Sequence, residues 1–112
     1  MRVGVLRELL RNLQAFRVAY ENDGLEEITG PDGVTYHFVD IQYIYSQVDR
    51  LSTRQRQAIE LCLVSNIREK DVAVMMGLSP TNPVASYATD GLKKLCDLIN
   101  SGALGRYHED VA

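Results

Sequence analysis

The chain has 112 residues, 46% of them apolar and 24% charged, with a net charge of −3. That is the size of one domain with ordinary globular composition, which excludes wholesale disorder and a strongly basic nucleic-acid coat. The acids are concentrated: residues 23–46 hold Asp23, Glu26, Glu27, Asp32 and Asp40 and no Lys or Arg.

Leu6, Leu9, Leu10, Leu13, Phe16 and Tyr20 recur at helical spacing and predict one amphipathic helix over 4–21. Arg7, Glu8, Arg11 and Arg17 fall on its polar face, and Asn22, Asp23 and Gly24 stop it. Gly30, Pro31, Asp32 and Gly33 form a tight-turn sequence, followed by strand formers from Val34 to Val39. They predict a small hairpin, 26–29 against 34–38. Asp40 reads as the N-cap of a helix over 41–49, whose apolar face is Ile41, Ile44, Tyr45 and Val48. Tyr36, Phe38, Tyr43 and Tyr45 read as the small core joining hairpin to helix.

The second half carries more information. Ser52 and Gln55 fit a capping box that opens a helix running to about Asn66. A short helix over 69–76 is stopped by Gly77. A long helix over 83–99 follows, with Asn82 as N-cap and Pro83 in the first helical position. Its apolar face is Val84, Tyr87, Ala88, Gly91, Leu92, Leu95, Leu98 and Ile99. A short helix, a glycine turn and a second helix make a helix-turn-helix pattern. In that geometry small Ala73 lets the helices approach, Gly77 makes the turn, Leu78 fills the space between them and Val84 anchors the second helix. The outer face at the start of that helix is left for a DNA groove.

The predicted fold is therefore mainly α, about five helices with one small β-hairpin. Residues 1–49 supply the N-terminal helix, hairpin and short helix. Residues 50–99 supply the helix-turn-helix module of the same compact domain, and 100–112 form a flexible tail.

The run Leu51, Ser52, Thr53, Arg54, Gln55, Arg56 through Leu61 resembles the helix that opens region 4 of sigma-70-type sigma factors. Asp71, Val72 and Ala73, then Met76 to Ser79, Val84, and Leu92 to Leu95 fall where that family's helix-turn-helix and trailing helix have similar residues. The resemblance covers about 50–99, and small phage-encoded sigma-like proteins are the nearest type by size. It implies a DNA-binding transcriptional regulator that docks its 83–95 helix in a major groove and contacts RNA polymerase. Asn82, Ser86 and Thr89 are the candidates for base or sugar contacts. Arg54, Arg56, Arg68, Lys70, Lys93 and Lys94 are the candidates for phosphates. The sequence departs from the family at the outward positions of that helix. Ala85, Ser86, Thr89 and Asp90 stand where basic and polar residues are usual, and Asp90 carries the wrong sign for a phosphate.

Two rival functions keep the same fold. One is an adaptor or inhibitor that binds RNA polymerase or a sigma factor without reading DNA, which the neutral-to-acidic outer face favours. The other is a DNA-binding oligomer of the phage small-terminase type, with 4–21 as the oligomerising helix. No catalytic pattern and no phosphate-binding glycine loop is present, so an enzyme is not expected. His37 and His108 lie far apart, and Cys62 and Cys96 sit on apolar helix faces, so neither a metal nor another cofactor is expected. The longest unbroken apolar run, 72–76, is far too short to cross a bilayer. Charges at Arg2, Arg7, Glu8 and Arg11 leave no uncharged stretch for a secretory signal. The expectation is a soluble cytoplasmic protein with reduced thiols.

Overall fold

Asn12 splits the first predicted helix in two. In the computed structural model, which describes residues 1–79 and 83–101, α1 spans Val3–Arg11 and α2 spans Leu13–Asp23. The Asn12 side chain donates to the Glu8 carbonyl at 2.8 Å, and the Asn12 N–H donates to the same oxygen at 3.2 Å. A side-chain amide that competes for carbonyls in this way interrupts a regular helix. The predicted apolar face survives the break, since Leu6, Leu9, Leu10, Leu13 and Phe16 are all buried. Tyr20 stays at the rim, where its ring stacks on Phe38 at 4.4 Å.

The hairpin is shorter than expected: β1 (Glu27–Thr29) pairs antiparallel with β2 (Thr35–His37), with Ile28 opposite Tyr36. Asp32 ties the turn together. Its Oδ1 accepts from the Val34 N–H at 3.2 Å and its Oδ2 accepts from the Tyr36 hydroxyl at 2.6 Å. Three residue pairs make a weak ladder. The buried Tyr36 ring fastens the hairpin to the domain.

β2 runs straight into α3 (Phe38–Ser46), so this helix begins three residues before the predicted start. Asp40 lies in its first turn rather than at the N-cap. His37 holds the cap position with no side-chain bond. Phe38 decides the outcome: it is buried, with its ring edge-on to Phe16 at 5.1 Å. Burying a Phe stabilises by about 1.5–3 kcal/mol, more than the roughly 1 kcal/mol of a side-chain cap. A 3₁₀ turn, Gln47–Arg50, follows. Of the four aromatics expected in the small core, Tyr36 and Phe38 are buried, Tyr45 is half-buried and Tyr43 is exposed.

The predicted capping box is present: Ser52 Oγ accepts from the Gln55 N–H, and Gln55 Oε1 accepts from the Ser52 N–H, both at 3.3 Å. The helix it opens, α4 (Thr53–Ala58), does not run on regularly to Asn66. Ile59–Val64 winds as a π-helix, with bonds from residue i to i+5. Within this wider turn Ile59, Leu63 and Val64 are all buried. Asn66 then takes a left-handed conformation, and its side chain donates to the Arg11 carbonyl at 3.3 Å, tying this end to α1.

The helix-turn-helix pair is α5 (Glu69–Met75) and α6 (Val84–Asn100). Gly77 has φ +69, and the bonds Leu78 N–H to Ala73 O (2.8 Å) and Gly77 N–H to Val74 O (3.0 Å) close α5. This paired closure needs a left-handed residue, which glycine adopts without a Cβ clash. Ala73, Leu78 and Val84 are buried, as the motif requires. Pro83 occupies the N-cap position of α6, one place earlier than predicted. Asn82 and the tail beyond Ser101 lie outside the described residues. With the 4–21 helix divided, six α-helices stand among those residues where about five were expected.

The buried residues form one cluster to which all six helices contribute. α6 is its centre: Val84, Ala88, Leu92, Leu95 and Ile99 point into it. α1 lies antiparallel along α6. The Met1 ammonium donates to Asn100 Oδ1 at 2.7 Å, and Arg7 donates to Thr89 further along. Among the described residues no helix is long and apolar enough to cross a membrane.

The two cysteines are free and differ in setting: Cys96 is buried in the cluster and Cys62 is half-buried. Burial pushes the Cys96 thiol up to about 11, against opposition from the N-terminal ammonium. The folded state thus holds this proton more tightly than the unfolded chain. Folding stability therefore falls as pH rises from 9 through 11. A thiol reagent at pH 8 is expected to modify Cys62 at least tenfold faster than Cys96, and both at one rate in denaturant. Equal rates in the folded protein would contradict the burial of Cys96.

Candidate nucleic-acid interface

α6 divides into four strips, because successive residues step 100° around a helix. Val84, Ala88, Leu92 and Leu95 fill the core. One flank, carrying Tyr87 and Gly91, faces α4. The other, carrying Thr89, faces α1. Between the flanks a stripe of Ser86, Asp90, Lys93, Lys94 and Asp97 faces solvent. Ser86 and Lys93 are seven residues apart, two full turns, and so lie in line along it.

The α4 flank is set by Gly91. A methyl group added there would lie 2.7 Å from Ile59 Cδ1 and 3.3 Å from both Gln55 Cβ and Leu51 Cδ1. A side chain there would force the end of Ile59 to shift. The approach brings Arg54 of α4 against Tyr87 of α6: Nη1 donates to the tyrosine hydroxyl at 2.9 Å, and the guanidinium carbon lies 5.7 Å from the ring centre. Held on an aromatic face, the guanidinium keeps further donors at the edge of the α6 stripe.

The α1 flank is set by Arg7, whose Nη2 donates to Thr89 Oγ1 at 3.2 Å. Next to this bond a groove of about 620 Å³ opens between α1 and the helix-turn-helix, bordered by Arg7, Arg11 and Arg68. Arg68 is 83% exposed and pairs with Asp71 at 3.3 Å, a surface contact of small energy.

The predicted contact residues therefore divide. Ser86, Lys93 and Lys94 share the exposed stripe, and Arg54 stands beside it. Thr89 is turned toward α1 and engaged by Arg7, so it does not belong to the free face. Arg56 is two residues from Arg54 and so points to the opposite side of α4, where it is half-buried. Arg68 lines the groove beside α1, and Lys70 is exposed on α5 and does not line that groove. Asn82 lies outside the described residues. Sequence reasoning missed Arg7 and Arg11 as members of the site, and placed Tyr87 on the apolar face only. The available signal was the i, i+4 spacing of Arg7 and Arg11 on the polar side of the first helix.

The ionisable groups shifted by burial, Tyr45, Cys62 and Cys96, are not on the stripe. Among the described residues no three His, Cys, Asp or Glu side chains gather to hold a metal. The arrangement offers cations on both sides of a solvated helix and small polar groups along it.

No curated protein and no solved structure gives a significant match to the chain. A family model does. Residues 41–95, from within α3 to within α6, match sigma-70, region 4, so this half of the chain is a sigma-70 region 4-like helix-turn-helix and α1, α2 and the hairpin lie outside the match.

Proposed function

We propose that the protein is a transcriptional regulator that binds duplex DNA by laying α6 in the major groove. One observation carries this reading. The stripe from Ser86 to Lys94 is the polar strip of α6 left to solvent, and Arg54 is braced on Tyr87 beside it. An α-helix fits the major groove, with side chains of its exposed strip on base edges and flanking cations on phosphates. Ser86 would touch a base, and Arg54, Lys93 and Lys94 would hold phosphates.

The test is selection of bound sequences from a random duplex pool, repeated with Ser86→Ala. An enriched motif is expected, and the variant should relax one position of it by about 1–3 kcal/mol. A pool returned unchanged would end the sequence-reading claim.

A second reading has an observation of its own. Val74 and Met75 are neighbours on α5, exposed by 76% and 58%. Two large apolar side chains in water suit a protein partner, RNA polymerase or a sigma factor, for which the fold would act as an adaptor. Co-migration with purified polymerase, lost in Val74→Asp, together with an unselected DNA pool would favour it. The oligomeric packaging role loses support, because Leu6, Leu9, Leu10, Leu13 and Phe16 of the first two helices are used inside the chain's own core.

A further inference from the structure

The groove between α1 and the helix-turn-helix lies outside the part of the chain that matches the family on its α1 side. It has three features. Arginines border it, from α1 (Arg7, Arg11) and from the start of α5 (Arg68). Its α6 wall is small and uncharged, with Ala85 and Ala88. Gly4 on α1 also lines it, and a methyl group placed there would meet nothing within 4 Å, so the groove is open beside it.

The charges in the groove are compensated only loosely. Glu8 and Glu69 also line it. Arg11 pairs with Glu8 at 3.3 Å with both side chains about half exposed, and Arg68 pairs with Asp71 at the same distance. Exposed pairs of this kind are weak and exchange readily for a better anion. Arg7 differs. Its bond to the Thr89 hydroxyl fixes the guanidinium against α6 without neutralising it.

Position completes the case. A helix in the major groove has one phosphate backbone on each side of it, because groove and helix have nearly the same width. On one flank of the α6 stripe stands Arg54, bonded to Tyr87. On the other stands Arg7, bonded to Thr89 two residues further along. Each arginine is anchored on α6 by a hydroxyl, and they face opposite sides of the same stripe. We infer that α1 supplies the second phosphate-binding wall of a duplex DNA interface, with Arg7 at its edge and Arg11 and Arg68 further into the groove. This rests on the DNA-binding reading above and adds the N-terminal helix to it.

The test measures affinity for a labelled duplex over a series of salt concentrations, by anisotropy, with thermal melts as a folding control. Arg7→Gln is expected to make the salt slope shallower by about one unit and to weaken binding about eightfold at 0.1 M salt. Arg7→Lys should keep the slope. Thr89→Val removes the anchoring hydroxyl but no charge, and should leave the slope unchanged. Gly4→Glu puts an acid into open space on a helix that gains propensity from losing a glycine. It should therefore melt no lower than wild type yet bind DNA at least fivefold more weakly, whereas Gly4→Ala should bind normally. A wild-type slope in Arg7→Gln, equal slope losses in Arg7→Gln and Thr89→Val, or unimpaired binding by Gly4→Glu would overturn the inference alone. Absence of duplex binding by the wild type at low salt would overturn the DNA-binding reading with it.

Discussion

Gly91→Val is expected to lower the stability of the protein by about 3 kcal/mol, the upper part of the range for overpacking a filled core. In a domain of this size that corresponds to a fall in Tm of about 12 °C, measured by circular dichroism. The reason is the α4–α6 contact. The first added carbon already lies 2.7 Å from Ile59 Cδ1, a side chain with no exposed surface. A second branch has nowhere to go, because Leu51 and Gln55 close the remaining sides at 3.3 Å. Gly91→Ala is the finer probe. Helix propensity favours alanine by about 1 kcal/mol, so its net cost is smaller and comes almost wholly from Ile59. Ile59→Val removes the one carbon that collides. The pair should therefore couple: Gly91→Ala destabilises by about 1 kcal/mol alone and becomes neutral or stabilising in the Ile59→Val background. Strictly additive effects would mean that α6 does not sit on α4 as described. Because α6 is both the central core helix and the helix that carries the exposed stripe, any shift that relieves Gly91 also moves Arg54 relative to Tyr87.

The same double duty explains what the sequence could disclose. Features determined by residues a few places apart were readable from it. The Ser52 and Gln55 capping box spans four residues, and the closure of α5 at Gly77 spans six. The buried face of α6 also follows from spacing alone. Features determined by a choice between two local solutions were not. Asn12 could have turned its side chain to water on a continuous helix, but the side chain took the Glu8 carbonyl. Asp40 had the chemistry of a cap, and burial of Phe38 against Phe16 and Tyr20 moved the helix start past it. The π-helix at Ile59–Val64 is of this kind too, since a regular helix would have turned Val64 away from Ile59. The α1 side of the candidate interface was hidden for a third reason. Arg7 and Thr89 are 82 residues apart, and their contact exists only because α1 lies along α6. Read alone, Thr89 was an exposed polar residue and Arg7 a solvated charge.

The charges on the α6 stripe give the largest expected change in DNA binding. Lys93→Gln with Lys94→Gln should make the salt slope shallower by about two units. Each neutralised phosphate contributes about 0.9 to the slope, so the double variant should bind on the order of fifty-fold more weakly at 0.1 M salt. Asp90 lies on the same exposed stripe, between Ser86 and Lys93. Asp90→Lys is expected to act in the opposite direction, tightening binding to unrelated duplexes about tenfold and steepening the slope by about one unit. The effect should be the same for every sequence, because a phosphate contact carries no base information. In the proposed interface an acid in this place would lower the background of non-specific binding while leaving a base contact from Ser86 intact. That raises the ratio between a preferred site and the rest of the DNA at the cost of affinity. If Asp90→Lys left both slope and affinity unchanged, the stripe would not face the backbone, and the exposed Val74 and Met75 on α5 would become the better starting point for a partner.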